Sequence, residues 1–282
     1  MKKINILNVL IDNFSTQELL EKLNLYGGIV FTPNVDHLVK LQKNQELLEV
    51  YNSATYKVCD SQIVMYAAKY LGTPIKEKIS GSDLLPKFCE YNQHNPNTKI
   101  FLLGAAEGVA KKAQENLNIQ TGREIVVASY SPSFGFEKNE KECQEIVDMI
   151  NKSGANVLVV GVGMPKQERW IAKYKDQLKN VKIFLALGAS IDFAAGCKKR
   201  SPSWMSVLGL EWLHRLLSEP KRLAKRYLIE DLPFFWLVVQ QKISLSSIPA
   251  ITQPELQQEF VAQELITNLQ SQQSQVVVKS LQ

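Results

Sequence analysis

The chain has 282 residues, 45% of them hydrophobic and 22% charged, which allows one large domain or two small ones and excludes a mainly disordered protein. The longest apolar run, Leu232 to Val239, is far shorter than the roughly 20 residues that a membrane-spanning helix needs. The first residues, Met1 to Asn13, are basic and then apolar without a small-residue cleavage site. They predict a first β-strand and a cytoplasmic protein.

The net charge of +5 is concentrated in one segment of the chain. Between Lys198 and Arg226 there are eight Lys and Arg residues against two Glu, a local net charge of +6 that leaves −1 for the remainder. A local basic patch indicates a polyanionic partner, with lipid phosphate, pyrophosphate and nucleic acid as the alternatives. The four cysteines are widely spaced, without a C-x-x-C pair, which predicts buried thiols and no zinc site.

Short β-branched runs alternate with amphipathic stretches from Lys3 to Asp192. The predicted strands are INILNVLI near residue 4, GIVFTP from Gly28, YKVC from Tyr56, KIFLLG from Lys99, EIVVASY from Glu124, NVLVVGVG from Asn156 and KIFLALGAS from Lys182. The clearest helix is predicted from Val35 to Tyr51. Strand–helix repetition with near-continuous apolar strands predicts an α/β fold, an open and mainly parallel Rossmann-like sheet with helices on both faces.

The character of the chain changes near Ala194, which predicts three regions: a catalytic α/β domain (1–195), a basic and aromatic-rich helical appendage (196–242) and a weakly ordered Gln-rich tail (243–282). In the appendage, Pro220 is expected to separate a helix over Pro202 to Ser218 from one over Lys221 to Ile229. Basic residues interleaved with Trp and Phe favour an anionic membrane surface as partner. The alternative is a helix packed on the core with a solvated charged face. A nucleic-acid partner is disfavoured, because no known binding motif is present.

Two glycine turns follow predicted strands, LLGAAEGVA from Leu102 and VVGVGMPKQE from Val159. Glycine lets backbone approach a ligand closely, and the N-terminus of the following helix favours phosphate. The candidate binding residues are Gly104, Gly161, Gly163, Pro165 as a first-turn proline, Lys166 and Glu168. Neither turn is G-x-G-x-x-G, so a dinucleotide fingerprint is absent. The alternative is that these are ordinary turn glycines, with Glu168 only favouring the helix dipole.

Polar residues follow three other strands: Thr32 and Asn34 after the second, Asp60 after the third and Asp192 after the last. Carboxyl ends of parallel strands share one edge of the sheet, where ligands bind. Helix capping is the alternative for Thr32, Asn34 and Asp60. A partly desolvated aspartate at this edge is suited to act as a general base toward a hydroxyl group.

The chain has eight Asp residues and no D-x-D motif, the carboxylate pair that commonly holds a divalent cation on a nucleotide diphosphate. We therefore expect no metal and no other cofactor. Charge on a departing diphosphate must then be met by Arg, Lys and helix termini, for which the appendage is the available source.

These turns, in this order, resemble the WecG/TagA/CpsF glycosyltransferase family over roughly residues 4–240. The matching motifs are TPNVDHLV from Thr32, CDSQ from Cys59, GSDLL from Gly81, LLGAAEGVAKKA from Leu102, GVGMPKQERW from Gly161, LGASIDFAAG from Leu187, KRSPSWM from Lys199 and GLEWLHRLLSEPKRLAKRYL from Gly209. The resemblance implies transfer of an N-acetylmannosamine-type sugar from a UDP-sugar donor to a polyprenyl-diphosphate-linked sugar, inverting and metal-independent, at the inner face of the cell membrane. It also implies self-association, with the oligomeric state left open.

The resemblance also implies roles for individual residues. Asp60 corresponds to the proposed catalytic base, and Thr32, Asn34 and Gln167 correspond to pocket residues around it. Asp192 corresponds to the aspartate that faces the nucleobase. The arginines that close over the diphosphate correspond to Arg215, Arg222 and Arg226.

Two positions depart from the family pattern: Ser61 where Gly is more frequent, and Ser201 where Ala is usual. Ser61 narrows the space beside Asp60. A non-catalytic nucleotide- or lipid-binding module is the alternative function, and product formation separates the two.

Overall fold

The computed structural model describes residues 3–198, 200–202, 205 and 209–247, with the side chain of Arg222 outside the description. The described chain divides between Phe234 and Phe235 into two compact units. Most of the predicted Gln-rich tail and Trp204 of the KRSPSWM motif lie outside the described residues. In the described part of the chain, no helix is long and apolar enough to cross a membrane.

The first unit is built on a six-stranded sheet in which every neighbouring pair of strands is parallel. Its strands are β3 (Gly28–Phe31), β4 (Tyr56–Lys57), β5 (Ile100–Gly104), β6 (Val126–Tyr130), β7 (Val157–Gly161) and β8 (Ile183–Ala186). Their order is β4-β3-β8-β7-β5-β6. Val30, Leu185, Val159 and Leu102 pair across four neighbouring strands. The predicted α/β fold with a parallel sheet is confirmed.

Helices cover the sheet. They are α1 (Thr16–Tyr26), α2 (Val35–Leu41), α3 (Gln45–Asn52), α4 (Gln62–Tyr70), α5 (Gly81–Tyr91), α6 (Val109–Thr121), α7 (Glu140–Ser153), α8 (Lys166–Tyr174) and α9 (Ser190–Ala194). Two further helices of the first unit are α10 (Glu211–Ser218) and α11 (Pro220–Lys225), and α12 (Pro233–Ser247) lies mostly in the second unit. Every residue of β5, β7 and β8 is buried, because both faces of a parallel sheet are shielded by helices. This layering leaves the carboxyl edge of the sheet open for a site.

The sequence predicted a single N-terminal strand, and the structure differs from that prediction. Residues 3–12 form two strands, β1 (Lys3–Ile6) and β2 (Val9–Asp12), paired antiparallel in a separate two-stranded sheet. Leu7 and Asn8 between them have φ values of 50° and 62°, as a two-residue hairpin turn of type I′ requires. The Asp12 carboxylate then accepts a hydrogen bond of 2.8 Å from the Lys57 backbone, which attaches the hairpin to β4.

Two predicted helices are interrupted in the structure. The helix expected over residues 35–51 is broken into α2 and α3, because Asn44 accepts a hydrogen bond from the Leu47 backbone and caps a new helix. The helix expected over residues 202–218 is interrupted at Gly209, which has φ +73°, and α10 begins after it at Glu211; residues 203–204 and 206–208 lie outside the described part of the chain. The break at Pro220 is confirmed, because this proline opens α11.

Three of the four cysteines are buried, and Cys197 is exposed, so the prediction of buried thiols is wrong for that residue. Cys197 lies three residues after the end of α9, beyond the last strand of the sheet.

Residues 209–234 form a helical arm that consists of α10, α11 and a π-helical turn over Arg226–Glu230. Ion pairs tie the arm to the sheet domain, including Glu211 to Lys78 at 3.0 Å and Glu219 to Lys198 at 3.0 Å. Leu223 of the arm is buried. The arm therefore lies on the sheet domain instead of extending into solvent.

Candidate functional site

A cleft of about 470 Å³ lies at the carboxyl edge of the sheet. It extends from Asp60, after β4 at one side of the sheet, to Phe134, after β6 at the other. Arg215, Leu223 and Arg226 of the helical arm line it as well. The residues brought together here come from six different strand ends and from the arm, so the cleft exists only in the folded chain.

Most of the residues singled out in the sequence lie in this cleft. They are Thr32, Asn34, Asp60, Gly161, Gly163, Lys166, Gln167, Asp192, Arg215 and Arg226. Gly104, Pro165 and Glu168 do not line it, and the side chain of Arg222 lies outside the described part of the chain.

Asp60 lies half-buried in the cleft, and its backbone N–H donates to the Pro33 carbonyl at 3.0 Å. Burial raises the pKa of the Asp60 carboxyl to about 7, although the Arg215 guanidinium opposes this shift and the Glu211 carboxylate adds to it. Asp60 does not cap the following helix. Ser61 has that role, because its hydroxyl accepts from the Val64 backbone at 3.4 Å. The Asp60 carboxyl is therefore available for chemistry near neutral pH.

Thr32 and Asn34 differ in what holds them. Asn34 is the N-cap of α2, and its side-chain oxygen accepts from the His37 backbone at 3.2 Å. Thr32 caps nothing and lies 3.5 Å from the Ala186 carbonyl, to which its hydroxyl donates. Helix capping thus accounts for a polar residue at position 34. It does not account for the polar residue at position 32, which lines the cleft.

Gln167 holds two strand-end loops together. Its side-chain oxygen accepts from the Gly163 backbone at 3.1 Å and from the Gly188 backbone at 3.0 Å. Its amide nitrogen donates to Glu168 at 2.9 Å. Since these loops follow β7 and β8, Gln167 fixes the centre of the cleft floor.

Glu168 and Gly104 were expected to contact a ligand, but neither residue lines the cleft. The Glu168 side chain has no exposed surface, and burial raises the pKa of its carboxyl to about 7, against the hydrogen bond from Gln167. A Cβ on Gly104 would lie 2.6 Å from the Gly161 carbonyl oxygen. Gly104 is therefore required for the close approach of β5 and β7, and Glu168 supports the cleft from behind.

The second glycine turn leads into α8 one residue later than expected. Pro165 is the cap residue before the helix instead of its first residue, and Lys166 begins it. Lys166 lines the cleft with its Nζ 3.0 Å from a Glu137 carboxylate oxygen and 4.8 Å from the centre of the Phe134 ring. The loop after β6, which carries these two partners, is a part of the site that sequence reasoning missed.

The two arm arginines in the cleft are held differently. The Arg215 guanidinium lies 5.8 Å from the centre of the Phe193 ring. Arg226 pairs with Asp36 at 3.2 Å and lies 3.9 Å from Asp231. The predicted basic face is thus divided: Arg226 turns toward the sheet domain, while the neighbouring lysines of the arm are exposed.

Other cleft residues were also missed, among them Asp36, His37, Lys40, Phe134 and Lys198. Asp36 and His37 lie in the TPNVDHLV motif and Lys40 follows it directly, but reasoning from strand ends stopped at Asn34. A signal was present, because a histidine and an aspartate in the first turn of a helix after a strand end point to the same edge of the sheet. Among the described residues, no group of three His, Cys, Asp or Glu is arranged to hold a metal ion.

The parallel sheet and the polar cleft at its carboxyl edge define an α/β protein of the ligand-binding, doubly wound class. The chain matches the model of the glycosyl transferase WecG/TagA/CpsF family over residues 4–248, and it belongs to that family. The resemblance found in the sequence motifs is confirmed, and the chain is a glycosyltransferase.

The chain is similar to N-acetylglucosaminyldiphosphoundecaprenol N-acetyl-beta-D-mannosaminyltransferases of Staphylococcus aureus. The proteins from strains MRSA252, MW2 and NCTC 8325 / PS 47 are each 29% identical to it over 240 residues, which span 83% of this chain and 90% of each relative.

Proposed function

We propose that this glycosyltransferase moves an N-acetylmannosamine-type sugar from a UDP-sugar to a polyprenyl-diphosphate-linked sugar in the assembly of a cell-surface polymer. The names of the similar staphylococcal proteins support the transferred sugar and the lipid-diphosphate acceptor. The observation that carries the proposal is the Asp60 carboxyl, half-buried in a cleft that Arg215 and Arg226 also line.

In the proposed reaction the Asp60 carboxylate takes the proton from the acceptor hydroxyl. The acceptor oxygen attacks the anomeric carbon of the donor from the side opposite the diphosphate, which inverts that carbon. The bond from that carbon to the diphosphate oxygen breaks, and UDP leaves with the electron pair. A buried carboxyl with a pKa of about 7 is matched to proton transfer near neutral pH.

The charge that develops on the leaving diphosphate is assigned to Arg215 and Arg226, with Lys166 and the glycine turn at Gly161 on the floor of the cleft. Preorganised cations at a developing charge stabilise it strongly when water is excluded. This set of cations supports a reaction that does not depend on a metal ion. Asp192, also in the lining, is assigned to the nucleotide, and Thr32, Asn34 and Gln167 to the groups around Asp60.

The division into a catalytic region (1–195), an appendage (196–242) and a tail (243–282) is retained as part of the proposal. The appendage is assigned to the surface of an anionic membrane, where a polyprenyl acceptor resides. Exposed Leu217, Leu228 and Ile229 on the helical arm support this, together with the exposed lysines Lys221 and Lys225. Apolar side chains beside cations are typical of interfacial helices.

The test is release of UDP from a panel of UDP-sugars, with a short-chain lipid-diphosphate sugar as acceptor and with EDTA present or absent. We expect turnover with one N-acetylated sugar, dependent on the acceptor and insensitive to EDTA. Binding of UDP without any turnover would instead support a non-catalytic module. Co-sedimentation with anionic but not neutral vesicles tests the membrane assignment, and equal sedimentation with both would contradict it.

A further inference from the structure

His37 lies in the lining of the cleft, although the proposed chemistry does not use it. It is in the first turn of α2, where its backbone N–H donates to the Asn34 side chain at 3.2 Å. The residue is 7% exposed. The neighbouring groups restrict the orientation of a histidine ring that is nine-tenths buried and still lines a polar cleft. The ring nitrogen that makes no hydrogen bond within the protein therefore points in a defined direction.

The partner that holds the ring is Tyr51 of α3, whose hydroxyl is hydrogen-bonded to Nδ1 of His37. Tyr51 has no exposed surface. Its ring packs against Phe31 of β3 at 5.1 Å between centres and meets the His37 ring edge-on at 6.0 Å and 85°. The core therefore fixes the position of Tyr51, and the hydrogen bond from Tyr51 orients the imidazole ring of His37.

The direction of this hydrogen bond follows from the surroundings of the hydroxyl group. Among the described residues, Nδ1 of His37 is its hydrogen-bond partner, and no second one accompanies it. A buried hydroxyl group needs an acceptor for its proton, since a buried donor without a hydrogen bond is costly in free energy. Burial raises the pKa of the Tyr51 hydroxyl further above its usual value, so the proton stays on the oxygen. The hydroxyl donates, and Nδ1 of His37 is the unprotonated nitrogen.

A neutral imidazole that accepts at Nδ1 carries its proton on Nε2. Burial lowers the pKa of His37 to about 3, with Asp36 raising it and with Arg226 and Lys40 lowering it. These charged groups reach the ring from its own helix and from the helical arm, and Tyr51 faces it from α3. The ring therefore stays neutral across the physiological pH range, and Nε2–H has no partner within the described part of the chain.

We propose that His37 is a substrate-binding residue whose Nε2–H donates a hydrogen bond to an oxygen of the nucleotide-sugar, with Tyr51 as the positioning residue that fixes the tautomer. The identity of the ligand rests on the proposed function. A neutral donor adds direction without adding charge, next to the Arg226 guanidinium that supplies charge. The acceptor oxygen belongs either to the diphosphate or to the sugar, and the two arms of the experiment separate these sources.

The tautomer is tested first, on the full chain without ligand, by long-range proton–nitrogen NMR of protein labelled with ¹⁵N-histidine. The chain has three histidines, so His37→Gln assigns the signal by its loss. We expect the Nε2–H form, without titration between roughly pH 5 and 9, and loss of this fixed form in Tyr51→Phe. A His37 signal that titrates near its ordinary pKa, or that shows Nδ1–H, would overturn the proposal.

The contact is tested next by adding UDP alone and then the UDP-sugar that supports turnover. A downfield shift of the Nε2 proton with UDP assigns the diphosphate as acceptor, and a shift seen only with the complete donor assigns the sugar. Bound nucleotide-sugar that leaves this proton unchanged would overturn the proposal. The tautomer needs no turnover, so failure of the proposed transfer is distinguishable from failure of this inference.

Kinetics supply the matched comparison. Replacing His37 with Leu should raise the KM for the donor with kcat nearly unchanged, by about 3- to 10-fold if the acceptor is a neutral sugar oxygen and by about 10- to 100-fold if it is a charged diphosphate oxygen. His37→Gln keeps an N–H near the Nε2 position and should recover part of the loss. His94 is exposed and outside the cleft, so His94→Leu is the control. An unchanged KM in His37→Leu would contradict the contact.

Discussion

Asp60 and Arg226 face one cleft from two regions that hold their side chains by different means. Asp60 belongs to the sheet edge, where its backbone N–H donates a hydrogen bond to the Pro33 carbonyl and burial raises the carboxyl pKa to about 7. Arg226 belongs to the helical arm, at the start of a π-helical turn, and its position depends on ion pairs with Asp36 and Asp231.

The difference teaches how the two halves of such a site are stabilised. At the sheet edge the core sets the geometry, and the functional group has a perturbed pKa because water is partly excluded. In the arm, long side chains are positioned by charge, and these contacts weaken when a partner is removed or salt is added. Replacements in the two regions should therefore affect different kinetic constants.

The largest effect is expected from Asp60→Asn. The amide cannot accept the acceptor's proton, so kcat should fall by roughly 10²–10⁴-fold while affinity for UDP changes little. UDP release and calorimetric binding of UDP measure the two quantities separately. Asp176→Asn, at an exposed carboxylate remote from the cleft lining, is the control. Turnover near that of the unaltered protein would remove Asp60 from the mechanism.

An intermediate effect is expected from Arg226→Gln, which removes a cation from the cleft and leaves Asp36 with Lys40 alone, 2.8 Å away. Hydrogen bonds to charged groups are worth about 1.5–3 kcal/mol, so the KM for the donor should rise about 10- to 100-fold, with a smaller change in kcat. Steady-state kinetics over a range of donor concentrations measure this.

Asp36→Asn provides the matched test of the ion pair. If Asp36 acts by positioning Arg226, the double variant should be little worse than Arg226→Gln alone, because coupled residues are not additive. Effects of the two replacements that simply add would show that Asp36 and Arg226 work independently, and the contrast between the regions would lose its physical basis.

The smallest expected effect, about tenfold in kcat/KM for one pH unit, concerns pH. A base with a pKa of about 7 is half-ionised at that pH and almost fully ionised above about pH 8, so kcat/KM should rise with pH through about 7 to a plateau. It should fall about tenfold for each pH unit below. His37 stays neutral over this range because its pKa is about 3, and it should not contribute. A profile that is flat between roughly pH 5 and 8 would contradict the assignment of the base.

Much of the site could be predicted because it follows strand ends. Thr32, Asn34, Asp60 and Asp192 were each found as polar residues directly after an apolar run, and all four line the cleft. Glu168 was misplaced by the same logic, since position along a helix does not tell which face is covered. The Glu168 side chain points into the protein and is fully buried.

The sequence by itself determined the parallel α/β fold, the family and the chemical types of residue along the cleft, because hydrophobic periodicity and turn chemistry are local properties of the chain. Only the tertiary structure decided the hairpin at the N-terminus, the pairing of Arg226 with Asp36, and the hydrogen bond between Tyr51 and His37. Each of these depends on burial or on contacts between distant residues. Desolvation and directed hydrogen bonds arise only when the chain has folded.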